Sequence, residues 1–68
     1  MDEEEEHALR ETLARLKQEH RDLDSAIEAL EESGRADQLR LKRLKKQKLS
    51  LKDEIARIED LLLPDIIA

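Results

Sequence analysis

The chain has 68 residues, 13 Lys and Arg against 18 Asp and Glu, a formal net charge of −5, and no Trp, Tyr, Phe or Cys. That length allows one small domain with a thin core, and the missing cysteines exclude disulfides and thiolate metal sites. A chain with 46% charged residues and a mostly Leu apolar set suits packed helices of the coiled-coil kind, not an aromatic-centred globular core.

Residues 1–6, MDEEEE, are an acidic run, expected to be a disordered, solvated start whose charge favours the positive end of the helix that follows. The first helix is predicted over 7–32. Leu9, Leu13, Leu16, Leu23, Ile27 and Leu30 recur at alternating steps of four and three, with His20 in the remaining slot. Such steps keep one apolar stripe on one side of a helix. The loop is predicted at 33–36, Ser33-Gly34-Arg35-Ala36. Gly34 is the only glycine and sits where a helix end favours a left-handed residue.

The second helix is predicted over 37–63. Asp37 is its expected N-cap and Pro64 its expected stop. Leu41, Leu44, Leu51, Ile55, Ile58 and Leu62 form its stripe, and Lys48 takes the one slot where a Leu is expected. Residues 64–68 are an apolar tail.

The two stripes share one heptad frame, with Leu13, His20 and Ile27 at a and Leu9, Leu16, Leu23 and Leu30 at d. Paired antiparallel, they form seven layers, from Leu9 with Leu62 to Leu30 with Leu41, and each pair of residue numbers adds to 71. The fold class is therefore all-α, an antiparallel two-helix coiled-coil hairpin that assembles into a helical bundle. The alternative is one long helix in a domain-swapped antiparallel dimer, because Gly34 and Asp37 fall on the intervening a and d slots and the frame never changes phase.

Glu19-His20, Leu23-Asp24, Ile27 and Leu30-Glu31, followed by Leu44-Lys45-Lys46-Gln47-Lys48-Leu49 and Leu51-Lys52-Asp53-Glu54-Ile55, resemble the two helices of the YdcH-like family of small bacterial proteins, a domain of unknown function. The likeness spans roughly residues 9–60. It implies a short helical hairpin in a bacterial cytoplasm, and no activity or catalytic residue. The acidic start and the tail lie outside the pattern.

Chemistry is sparse. His20 and Asp24, four apart on one helix face, lack further ligands opposite, so they read as a polar seam layer with Lys48, Asp24 serving His20 as a hydrogen-bond or charge partner; no metal or cofactor is expected. Lys48 is expected to pack its stem in the seam and reach Asp24, Glu19 or solvent. No base and acid are arranged about Ser25, Ser33 or Ser50, and a two-helix hairpin lacks a concave pocket, so no enzyme is expected. The basic run Arg40–Lys52 is expected to face acids of the first helix, Asp24, Glu28 and Glu31 lying near Lys45, Arg43 and Arg40. Without aromatics for base stacking, nucleic acid is the weaker alternative function. Leu39, Leu49, Leu61, Leu63, Ile66 and Ile67 are left unused by the seam and form a candidate partner interface. The expected function is a structural or adaptor module that associates with itself, as a homo-oligomer, or with a protein partner through the tail. No apolar run is long enough to span a membrane and no leader pattern opens the chain, so the expected location is the cytoplasm.

Overall fold

A computed structural model describes residues 1–34 and 37–62. Two helices, α1 (Glu3–Ser33) and α2 (Gln38–Leu62), make up nearly all of them and pack on each other along their length as a hairpin. The molecule measures 48 × 24 × 17 Å. A helix rises about 1.5 Å per residue, so the 31 residues of α1 account for the long dimension.

The start of α1 corrects the expected disordered opening. Asp2 is the N-cap; its Oδ1 accepts the Glu5 N–H at 2.7 Å, and Glu3, Glu4, Glu5 and Glu6 form the first turn. The acidic run is therefore helical from Glu3, not from His7. The physical reason is that a short carboxylate satisfies a free N–H of the first turn while the glutamates beside it face the positive end of the helix dipole.

The end of α1 follows the sequence pattern. Gly34 takes up φ 69 and ψ 4, its N–H reaches the Glu31 carbonyl at 3.4 Å, and Ser33 Oγ donates to the Leu30 carbonyl at 2.8 Å. A left-handed glycine here rules out continuation of α1 into α2, so the chain forms the hairpin and not the single long helix. Asp37 caps α2 as expected. Its Oδ1 accepts the Leu39 N–H at 2.9 Å and its carbonyl accepts the Leu41 N–H at 3.0 Å. Residues 35–36 and 63–68, which include the end of the loop, Pro64 and the expected tail, lie outside the described residues.

Burial follows the two stripes. Leu16, Ile27 and Leu41 are 5%, 3% and 6% exposed, and every other described stripe residue, His20 and Lys48 included, is half-buried. Outside the stripes only Glu6, Thr12, Asp24 and Glu59 among the described residues are not exposed. A core this thin stabilises the hairpin by a single seam of aliphatic layers.

Ion pairs across the seam fit the expected register. Lys17 Nζ lies 3.5 Å from Glu59 Oε2, and Lys45 Nζ lies 3.6 Å from Glu31 Oε2. Lys17 and Glu31 each follow a seam residue, Leu16 and Leu30, by one. Glu59 and Lys45 each follow the opposing seam residue, Ile55 and Leu41, by four. Both pairs thus flank their layer in the same way, as a constant sum of 71 in the seam requires.

Candidate functional site

The polar layer lies near the middle of the hairpin. In α1, His20 and Asp24 are one turn apart, and Lys48 projects from a seam position of α2. Lys48 Nζ donates to Asp24 Oδ1 at 2.7 Å. A lysine can do this because its four-carbon stem packs along the apolar seam while the ammonium reaches the edge. That hydrogen bond, and the positive charge behind it, hold the Asp24 carboxyl below the usual carboxylate range. Partial desolvation opposes the shift, and the His20 ring adds a smaller contribution in the same direction as Lys48.

His20 does not receive the partner expected for it. Its Nε2 is buried and has no hydrogen-bond partner, because Asp24 is turned toward Lys48. Lys48 and Asp24 meet across the seam, and the sequence cannot say which cation the carboxylate serves. The 2.7 Å bond to a full ammonium decides it.

The charged edge also differs in detail from the level-by-level matching expected of the basic run. Glu31 pairs with Lys45, not Arg40, and Asp24 pairs with Lys48, not Lys45. The reason is that residues flanking an antiparallel seam meet across it at the e positions, and a long lysine spans the turn between. By the same frame Lys17 and Glu59 meet, a pair the reading of the stripes alone passes over. The e-position spacing is the signal that finds it.

Beside this layer, between the helices, lies a groove of about 600 Å³ whose wall includes His20, Lys48, Leu49, Lys52, Ile55 and Ala56. A second groove on the other edge of the seam, about 590 Å³, is lined by residues that include Leu23, Arg43, Lys46 and Leu51. Both are open troughs along the hairpin.

Of the candidate interface residues, Leu39, Leu49 and Leu61 are 57%, 61% and 57% exposed. Leu63, Ile66 and Ile67 lie outside the described residues. Among the described residues no three His, Asp or Glu side chains come together in a group that could hold a metal ion, and no helix is long and apolar enough to cross a membrane.

Neither the curated proteins nor the solved structures provide a match to this chain. A family pattern does, over residues 13–59. That span begins at Leu13, ends at Glu59, and contains both caps of the turn, the whole polar layer and six of the seven seam layers. It leaves out the acidic first turn and the tail, as the resemblance to the YdcH-like proteins implies. The chain belongs to the family described as protein of unknown function (DUF465).

Proposed function

We propose that this protein is a non-enzymatic structural or adaptor module of the cytoplasm that acts by helix–helix association with itself or with a protein partner. The observation that carries this reading is the contrast between its core and its surface. Only Leu16, Ile27 and Leu41 are buried among the described residues, while Leu39, Leu49 and Leu61 stand more than half exposed on one helix. A thin core gains stability when a further helix covers its flanks, and large exposed aliphatic side chains are what such a helix packs against.

The troughs support the same reading. Both are open and lined by a mixture of aliphatic and charged side chains, and suit a helix better than a small reactant that must be enclosed. The alternative, weak binding of nucleic acid through Arg40–Lys52, is less well supported. Lys45 and Lys48 are held by Glu31 and Asp24, and there is no aromatic side chain in the chain for a base to stack on.

The test is sedimentation of the full chain across micromolar concentrations, followed by peptide absorbance, together with its melting temperature at each concentration. Association predicts a mass above the 7.9 kDa of one chain and a melting temperature that rises with concentration. A monomer whose melting temperature is high and independent of concentration would overturn the self-associating form of this reading. Binding to generic DNA that weakens steeply with salt would favour the alternative instead.

A further inference from the structure

One edge of the hairpin is incomplete at its middle level. The heptad frame sets three pairs of flanking residues across this edge: Lys17 with Glu59, Asp24 with Lys52, and Glu31 with Lys45. The outer two are ion pairs at 3.5 and 3.6 Å. The middle one is not, because the Lys48 ammonium reaches from the seam to take Asp24 at 2.7 Å. Lys52 is left with no acidic partner among the described residues, and His20 Nε2, on the same groove, is buried without one. Leu49, 61% exposed, and the exposed Ala56 line the trough between them.

We infer that this trough is the docking site for α1 of a second copy of the chain, seated through the outward face Asp22, Ser25, Ala29 and Glu32. The inference rests on the association proposed above and names its surface. The occupant must supply carboxylates for an unpaired ammonium and small side chains that let a helix approach Leu49 and Ala56. Asp22, Ser25, Ala29 and Glu32 follow steps of three, four and three, are all exposed, and set an acid at each end of two small residues. Those four span about 15 Å of helix, and the stretch of α2 from Lys48 to Glu59 that lines the trough spans about 16 Å, at 1.5 Å per residue. The face lies away from the seam, so α1 cannot present it to its own groove. Charge favours the match as well. Through Gly34 the chain has twelve acids and four bases, net −8; beyond it, six acids and nine bases, net +3.

Groove and acidic face are different surfaces of one molecule, so the contact is head to tail. Such contacts continue from copy to copy, into a ring or an open chain, and do not stop at a two-fold dimer.

The experiment uses two variants of the full chain, each changed at exposed positions: Leu49→Asp/Lys52→Glu in the groove and Asp22→Asn/Ala29→Gln/Glu32→Gln on the face. Circular dichroism establishes that each keeps the parent's helicity. The parent should sediment as species that grow past the dimer with concentration and dissociate as salt is raised. Each variant alone should need at least tenfold higher concentration to associate. An equimolar mixture should form a one-to-one dimer and nothing larger, because one intact groove meets one intact face and both free ends are blocked. Variants that associate as the parent does, or a mixture that stays monomeric while the parent assembles, would overturn this docking site and leave association through other helix faces standing. A parent that is itself a stable monomer overturns both.

Discussion

Replacing His20 and Lys48 together by leucine should stabilise the hairpin. The two substitutions act through different terms. His20 Nε2 is buried with no hydrogen-bond partner, and a buried polar atom left unsatisfied costs about 1–3 kcal/mol. Leucine removes that cost and adds apolar surface to a half-buried position. Lys48→Leu breaks the bond to Asp24, but the Asp24 side chain is 43% exposed and water can replace the lost ammonium, so the loss is small beside the gain. His20→Leu alone should therefore carry most of the effect. In a domain of this size 1 kcal/mol moves the midpoint by roughly 4–8 °C, so a gain of about 1–2 kcal/mol raises the melting temperature by roughly 4–16 °C. The assay is thermal unfolding by circular dichroism, at the lowest concentration that gives signal. The double variant should also broaden the oligomer distribution seen by sedimentation, because a polar residue in a helical seam disfavours slipped and higher-order packings. A melting temperature below the parent's would refute the reasoning. It would mean that His20 is satisfied in solution by a group that its geometry here does not reveal, and that the layer is a working polar network.

Ile27→Ala, at the most buried position, should cost about 2–3 kcal/mol, the lower part of the range for such truncations because an open seam can close on the gap; Leu49→Ala, exposed, should leave the dilute hairpin within about 0.5 kcal/mol of the parent, and equal effects would put the core elsewhere. Asp24 has a folded-state carboxyl depressed by Lys48, so its contribution is complete above the unfolded value near pH 4 and is lost as pH falls through the lower folded value. The difference in melting temperature between parent and Asp24→Asn should accordingly be flat from about pH 7 to about pH 5 and shrink below about pH 4; a difference that vanishes near neutrality would contradict the assigned pair. Deleting residues 61–68 should weaken assembly more than helicity, since Leu62 is the one residue of that stretch in the seam, while Leu61, 57% exposed, extends the associating surface beyond the trough. Loss of helix signal with unchanged sedimentation would show the reverse.

The fold was legible because each level of the sequence points the same way. The Leu and Ile steps give two helices, and the fixed register follows from one heptad frame read in both directions. Gly34 and Asp37 mark the turn with the two residue types that helix ends select. The beginning of α1 was not legible, because Asp2-Glu3-Glu4-Glu5 reads equally as a charge run or as a cap with its first turn. What decides between them is whether the chain beyond is rigid enough to hold the N–H groups against Asp2, and periodicity starting at Leu9 does not say. His20 and Lys48 were legible from their slots in the stripe, and Asp24 from its place one turn after His20. Their pairing was not, since Asp24 lies within reach of an imidazole on its own helix and an ammonium on the other. The choice depends on side-chain length and charge across the seam. Its consequence, an unpaired Lys52 beside an orphaned ring nitrogen, appears only when the three flanking pairs are compared in space.

The turn itself tests whether the hairpin is set by its seam or by its corner. The seam cannot distinguish the hairpin from a continuous helix paired with a second copy, because both make the layers whose numbers add to 71. The corner distinguishes them: Gly34 at φ 69 ends α1 and Asp37 begins α2. Alanine has open space at Gly34, with nothing within 4 Å of a new Cβ, so its cost there is one of backbone alone. A left-handed alanine is worse than glycine by about 1–2 kcal/mol, while in a continuous helix alanine is better than glycine by about 1 kcal/mol. The two add to about 2–3 kcal/mol per chain in favour of the long helix. Asp37→Leu removes the cap, worth about 0.5–2 kcal/mol, and fills a vacant seam slot. Gly34→Ala/Asp37→Leu should therefore convert the protein into an extended antiparallel dimer. Small-angle scattering would show it directly, since 60 residues of uninterrupted helix from Glu3 to Leu62 reach about 90 Å, against the 48 Å of the hairpin. A double variant that keeps the compact dimensions and merely melts earlier would show that the corner does not decide the topology. Closing the seam within one chain would then outweigh the helix ends, with effective concentration favouring the hairpin over the swapped form.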